Sequence, residues 1–150
     1  MGTPFSTVYD FFMMLVTDYK LNNLYTASVI DFETFLSAWL LLAIADFINC
    51  NQSLAFTSTT FDEDLTQDNI KLLAQLMKKY WLEKEIDNIT QMNLHVTDKD
   101  FKVYAEANNM TAKQKRLILD KEELSQLLVD YSINSPSLWT NFLAGDFYTP

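Results

Sequence analysis

Residues 31–48 read DFETFLSAWLLLAIADFI, and the reading of this stretch decides the fold. Phe32, Phe35, Leu36, Trp39, Leu40, Ala43, Ile44 and Phe47 recur at steps of three and four, with further apolar residues between them. That spacing is the signature of a helix, and Asp31 stands where a side-chain oxygen can cap it. A helix apolar on nearly every side belongs in the middle of a bundle, so the spacing predicts a central helix over 31–48. Its charge-free core, Thr34 to Ala45, is too short for a membrane span, which needs about 20 apolar residues.

Working outward, the same periodicity appears on both sides. Phe5, Val8, Tyr9, Phe12, Leu15, Val16 and Tyr19 predict a helix over about 5–19, with Pro4 where a first turn tolerates it and Asn22-Asn23 as a turn after it. Thr66 offers a cap, Asp68 complements the helix dipole, and Ile70, Leu73, Ala74, Met77, Trp81 and Leu82 continue a stripe over about 67–89. Thr111 heads a fourth run to about Tyr131. In it Leu117, Ile118, Leu124, Leu127, Leu128 and Tyr131 form the apolar face, and Lys113, Lys115, Arg116, Lys121, Glu122 and Glu123 are mostly outward. Between Thr90 and Met110 the pattern weakens, with Thr97-Asp98 placed to cap a short helix to about Asn108. Residues 49–65 read as a polar loop pinned by Leu54, Phe56 and Phe61, and no role for it follows from the sequence.

Breakers are scarce: 2 Gly and 3 Pro in 150 residues, against an average near 12% for the two together. The expected fold is therefore all-α, a small helical bundle of four main helices in one domain, 1–131, followed by an irregular C-terminal tail, 132–150. Phe12, Phe35, Trp39, Phe47 and Trp81 are expected in the core.

The composition removes several functions. Twenty acidic against 11 basic side chains give a net charge of −9, a field that repels a phosphate backbone. The basic cluster Lys113, Lys115 and Arg116 runs straight into Asp120, Glu122 and Glu123, a mixed-charge helix face. Cys50 is the single cysteine, expected as a buried thiol in a reducing compartment; neither a disulfide nor a thiolate metal site can be built from it alone. The N-terminal Met1-Gly2-Thr3-Pro4-Phe5-Ser6 fits a myristoylation pattern, but one acyl chain binds membrane only marginally, and no membrane role is expected.

Catalytic constellations fare no better. Phosphate loops need clustered glycines, and Gly2 and Gly145 lie at opposite ends of the chain. His95 is the sole histidine, which excludes multi-imidazole zinc sites; beside Asn93 and Thr97 it reads as structural or solvated. Asp62-Glu63-Asp64 with Asp68 resembles a calcium loop, but the frame puts Gln67 at its sixth position and Leu73 at its twelfth, and a frame from Asp98 fails likewise. These carboxylates are better placed at the positive ends of helices. No Glu-x-x-His pair exists for a di-metal site. The chain is expected to be no enzyme, with no cofactor and no metal; a carboxylate pair converging in space stays open.

What stands out is aromatic surface, 14% of residues. The tail, though broken by Pro136 and Gly145, carries Leu138, Trp139, Phe142, Leu143, Phe147 and Tyr148. Such a segment either packs on its own bundle or anchors in a partner's groove.

The order of parts, VYDFFMMLVTDY, then DFETFLSAWLLLAI, then EDLTQDNIKLLAQLMKKYWL, a charged fourth helix and a loose tail, resembles the small helical head-to-tail adaptor (connector) proteins of tailed bacteriophages. The pairing of a DFE helix start with a DLT-x-x-x-I-x-x-LA-x-x-M helix ending in Trp81-Leu82 carries most of it, over about residues 8–131. The resemblance implies a structural protein of the virion neck, made in the host cytoplasm. Its copies would form a homo-oligomeric ring beneath the portal protein, extend the DNA channel without binding DNA specifically, and join capsid to tail and neck proteins. In such adaptors a C-terminal extension often docks on the portal, a role that would fall here on Leu138, Trp139, Phe142, Leu143, Phe147 and Tyr148. The competing class is an acidic intracellular interaction or regulatory module that binds a partner protein.

Overall fold

A computed structural model describes residues 1–95 and 100–134, which form five helices and one two-stranded hairpin. The all-α class stands; the additional helix comes from a break inside the first predicted one. α1 runs Phe5–Leu15 and buries Phe5, Val8, Tyr9 and Phe12, one stripe of a 3.6-residue repeat. Val16 then turns extended, and the Asp18 carboxylate accepts from the Lys20 backbone N–H at 2.8 Å, starting α2, Tyr19–Ala27. The Asn22-Asn23 turn expected from the sequence thus lies inside a helix: a side-chain cap four residues earlier decides where the chain bends.

Ser28 ends α2 and starts α3, Val29–Asp46, its hydroxyl oxygen accepting from the Asp31 N–H at 3.2 Å. The cap is Ser28 and not Asp31, which occupies the first turn and favours the positive end of the dipole. α3 buries Phe32, Leu36, Leu40 and Ala43. It is not the central helix. Phe35, expected in the core, is 42% exposed, while Phe12 and Phe47 are buried and Trp39 and Trp81 partly so.

The loop after α3 is ordered by backbone pairing. β1, Phe56–Thr57, pairs antiparallel with β2, Thr60–Phe61, across a turn in which Ser58 has φ 60°. The N-terminal segment lies alongside: the Phe61 N–H donates to the Thr3 carbonyl at 2.8 Å, the Phe5 N–H to the Thr59 carbonyl at 2.9 Å, and the Leu65 N–H to the Thr3 hydroxyl at 2.8 Å. Phe61 is fully buried, its ring centroid 4.9 Å from that of Phe5. Gly2 makes this approach possible, because a Cβ there would sit 1.6 Å from the Phe61 carbonyl oxygen. Of the residues expected to pin the loop, Phe61 is buried, Leu54 partly so and Phe56 exposed.

α4, Gln67–His95, is the hub on which α1, α3 and α5 all pack. Asn69, Ile70, Leu72, Leu73, Ala74, Leu76 and Met77 are buried over more than half the circumference of its first half, with Asp68 and Lys71 exposed on the remaining side, whereas further on only Leu82 and Ile86 are buried among the described residues. Thr66 caps it, weakly, through the Asn69 N–H at 3.5 Å. α5, Asp100–Asn134, is one continuous helix, so Thr111 is interior and does not cap a separate element. Contact with α4 overrides the modest propensity of Asn108, Asn109 and Thr111. The two helices are antiparallel: Tyr131 meets Asn69, Asp120 meets Lys78, Lys113 meets Glu85, and Met110 meets Thr90. At 1.5 Å per residue they are about 43 and about 52 Å long.

Candidate functional site

The tail residues Leu138, Trp139, Phe142, Leu143, Phe147 and Tyr148 lie outside the described residues. α5 carries the helix three residues past Tyr131, to Asn134, so residues 132–134 belong to it. Beside its last turn lies a cleft of about 250 Å³, lined by Asn51, Asp68, Lys71, Leu127, Asp130 and Asn134 among others.

The wall of that cleft is a polar network. Asn69, fully buried, donates through Nδ2 to Gln52 Oε1 at 2.6 Å and to Asn51 Oδ1 at 3.0 Å. Gln52 Oε1 also accepts from the Thr66 N–H at 2.8 Å, and its Nε2 donates to the Asp64 carbonyl at 3.0 Å. The Tyr131 hydroxyl accepts from the Asn51 N–H at 2.8 Å and touches Asn51 Oδ1, Asn69 Oδ1 and Cys50 Sγ. It has one proton for three acceptors, Asn69 Oδ1 at 2.6 Å, Asn51 Oδ1 and Cys50 Sγ, so it donates to one of them at a time. Burial pushes the Tyr131 hydroxyl up to about 12. A tyrosine held neutral among amides is no base or nucleophile at physiological pH. The cluster fastens the 49–65 loop to α4 and α5, and half-buried Cys50 is part of that joint.

A second cluster joins α3 to α4. Tyr80 donates to the Asp46 carboxylate, and Lys79 Nζ stands 3.1 Å from the same oxygen. The tyrosine hydrogen bond holds Asp46 below the ordinary carboxylate range, against a smaller opposing effect of burial; Lys79 adds to the lowering. Burial first, then Asp46, pushes Tyr80 up to about 12. A third cluster runs along the hairpin: Lys78 to Asp120 at 2.8 Å, Lys121 to Glu83 at 2.7 Å and Lys113 to Glu85 at 3.5 Å, with Arg116 reaching Asp120 at 3.1 Å. Of the basic residues 113–121, read from sequence as a mixed-charge face, Lys113 and Lys121 each supply a rung between the helices; the third rung runs from Lys78 of α4 to Asp120, which Arg116 also reaches within α5.

Each cluster is a fastening and none pairs a nucleophile with a base. Among the described residues no group of three or more His, Cys, Asp or Glu side chains is set to hold a metal ion. The Asp62–Asp68 carboxylates are spread over separate jobs; Asp62, for example, accepts from the Thr57 hydroxyl at 3.0 Å. His95 falls in the last turn of α4, and its side chain lies outside those described.

The feature left without a use inside the fold is apolar surface. On α3, Asp31, Phe35, Ala38, Leu42 and Ala45 form an exposed line on the side away from the buried stripe, with Leu41 beside it. On α5, Lys115, Leu119, Glu122, Gln126 and Val129 form a second exposed line, with Ile118 beside it. Sequence reasoning put Ile118 on the inward face; it is 58% exposed, and among the described residues of α5 Leu124 is the buried one. The signal for the α3 face was present in the sequence, because a helix apolar all round has one face too many if only one side is covered. Comparison of the chain with protein-family models, characterised proteins and solved structures found no match.

Proposed function

We infer that the chain is a structural assembly subunit, and that the assembly is the neck of a tailed bacteriophage, where it acts as a head-to-tail adaptor. The observation that carries this reading is the exposed apolar face of α3, with Phe35, Leu41 and Leu42, together with exposed Ile118, Leu119 and Val129 on an otherwise polar face of α5. Large apolar surface on a folded chain marks a contact with another protein. The resemblance over residues 8–131 supplies the finer reading: a ring of copies under the portal, extending the DNA channel, with residues beyond the bundle docked on the portal. A net charge of −9 suits a channel wall, since tight phosphate binding would hold DNA that must slide. No helix among the described residues is long and apolar enough to cross a membrane.

The test is light scattering on the purified chain, alone and mixed with the portal protein of the same virion. A discrete ring in either sample is the expected result. Ending the chain after Asn134, or Trp139→Ala, should abolish capture by the portal while leaving the melting temperature of the bundle nearly unchanged, because a buried aromatic anchor is worth about 2 kcal/mol or more at an interface. A monomer in both samples favours the acidic interaction module instead, and unfolding of the shortened chain would assign the tail aromatics to the bundle's own core.

A further inference from the structure

We propose that the ring is closed by one specific head-to-tail contact: the outer face of α3 in one copy against the outer face of α5 in the next. The proposal rests on the assembly reading above and names its interface. α3 and α5 both pack on α4 and scarcely on each other. Two unlike faces on one subunit are what a heterologous contact requires, and such a contact closes into a ring when its rotation divides the circle.

The two lines run at the steps that one face of any helix gives, and they are complementary in charge at one end. Asp31, Phe35, Ala38, Leu42 and Ala45 sit at steps of four, three, four and three; Lys115, Leu119, Glu122, Gln126 and Val129 repeat the same steps, and every one of these residues is exposed. Laid parallel, the lines cover about 21 Å each. They then set acidic Asp31 against basic Lys115 at one end and aliphatic Ala45 against Val129 at the other. Opposite Glu122 comes Ala38, small enough to let a long carboxylate side chain bend out to water. The ionisable side chains of α3 are acids only, Asp31, Glu33 and Asp46, whereas the α5 line starts with exposed Lys115, flanked by Lys113 and Arg116, which pair with Glu85 and Asp120. Two α3 faces brought together in parallel would oppose Asp31 to Asp31, and two α5 faces Lys115 to Lys115. Charge therefore favours the unlike pairing, which makes the occupant of each face a second copy of this chain.

The experiment sizes the full-length protein by sedimentation as wild type, as Leu42→Glu, as Val129→Glu, and as an equal mixture of the two variants. Ala38→Glu and Leu119→Glu serve as substitutes if circular dichroism shows either first choice misfolded. Each variant alone should lose at least about tenfold in self-association, since it buries a carboxylate in an apolar contact. The mixture should form dimers and stop there, because Leu42→Glu keeps a working α5 face and Val129→Glu a working α3 face. Lys115→Glu should weaken assembly about two- to fivefold at low salt, and adding Asp31→Lys should restore it.

A mixture that stays monomeric, or a Val129→Glu protein that assembles like wild type, overturns the proposal. So does loss of assembly in the full chain carrying Trp139→Ser and Phe142→Ser, which would make the tail the cover of the α3 face. If wild type and all variants assemble alike, this contact is wrong and the ring stands; if wild type stays monomeric up to about 1 mM, alone and with the portal, the ring reading fails and the contact falls with it.

Discussion

The two halves of the α4–α5 hairpin are made of the same helices and held by different forces. From Asn69 to Met77, α4 is enclosed by α1, α3, the 49–65 loop and α5, and seven of nine consecutive residues are buried. Beyond Met77 the described polar contacts on α4 are mostly with α5: Lys78–Asp120, Glu83–Lys121, Glu85–Lys113 and Thr90–Met110. Among the described residues only Leu82 and Ile86 of α4 are buried there, with Trp81 partly so. The near half is stabilised by area removed from water, the far half by charge at a partly wet seam, and the two should respond differently to truncation, salt and pH.

The largest contrast should come from Leu73→Ala against Leu82→Ala. Leu73 is fully buried within the main core cluster, so its loss should cost about 4–5 kcal/mol, while Leu82, outside that cluster, should lie near the lower end of the range, about 2 kcal/mol. Chemical denaturation measures both, and equal costs would erase the distinction between the halves. Next, Asn69→Ala should cost about 1–3 kcal/mol, because it strips partners from Gln52, Asn51 and the Tyr131 hydroxyl at once. Hydrogen exchange should then quicken in the 49–65 loop and leave the far half unchanged.

A smaller effect belongs to the seam. The side chains of Lys78 and Asp120 are 17% and 10% exposed, which places Lys78→Ala between an exposed pair, about 0.2–1 kcal/mol, and a buried one, about 3–5 kcal/mol. Lys113→Ala, at a longer and wetter pair, should cost under about 1 kcal/mol and nothing in high salt. Thermal melts at two salt concentrations separate these cases. The smallest effect at neutral pH is that of Tyr9→Phe. Burial, with Glu33 adding to it, raises the Tyr9 hydroxyl from 10.0 to about 12. The fold therefore prefers the neutral phenol: this contribution is complete below pH 10 and is lost as pH rises toward 12. Tyr9→Phe should flatten the alkaline fall in melting temperature, and an unchanged slope would assign that fall to Tyr80 and Tyr131.

The helical class was legible because apolar steps of three and four do not depend on partners. The break after α1 was not read, since Phe12, Leu15, Val16 and Tyr19 keep the stripe going across it; Asp18, a cap residue in plain view, was the available sign. The hub was misassigned for a related reason. Residues 31–48 are more apolar than α4, yet centrality depends on how many neighbours an element touches, and the buried run Ile70–Met77 advertised that only by being apolar on more than one side. Thr111 misled in the opposite sense, since a residue that favours caps is also tolerated mid-helix when a neighbouring helix supplies contacts. Of the two exposed faces, the one on α3 could be suspected from its excess of apolar residues. The α5 face could not, because Ile118 and Leu124 are alike in sequence and only the direction of α4 tells them apart.

The place of α4 as hub also sets a schedule. During synthesis α1, α2 and α3 leave the ribosome before the helix they pack on exists, and α3 is apolar on both sides. From Asp46 to Met77, at roughly 5–20 residues per second, that wait lasts about 2–6 s. For those seconds the outer apolar surface of α3 and the surface that later meets α4 are exposed together, so two nascent chains side by side can join through either one. Slowing initiation, which spaces ribosomes along the message, should raise the soluble yield more than slowing elongation, which lengthens the wait.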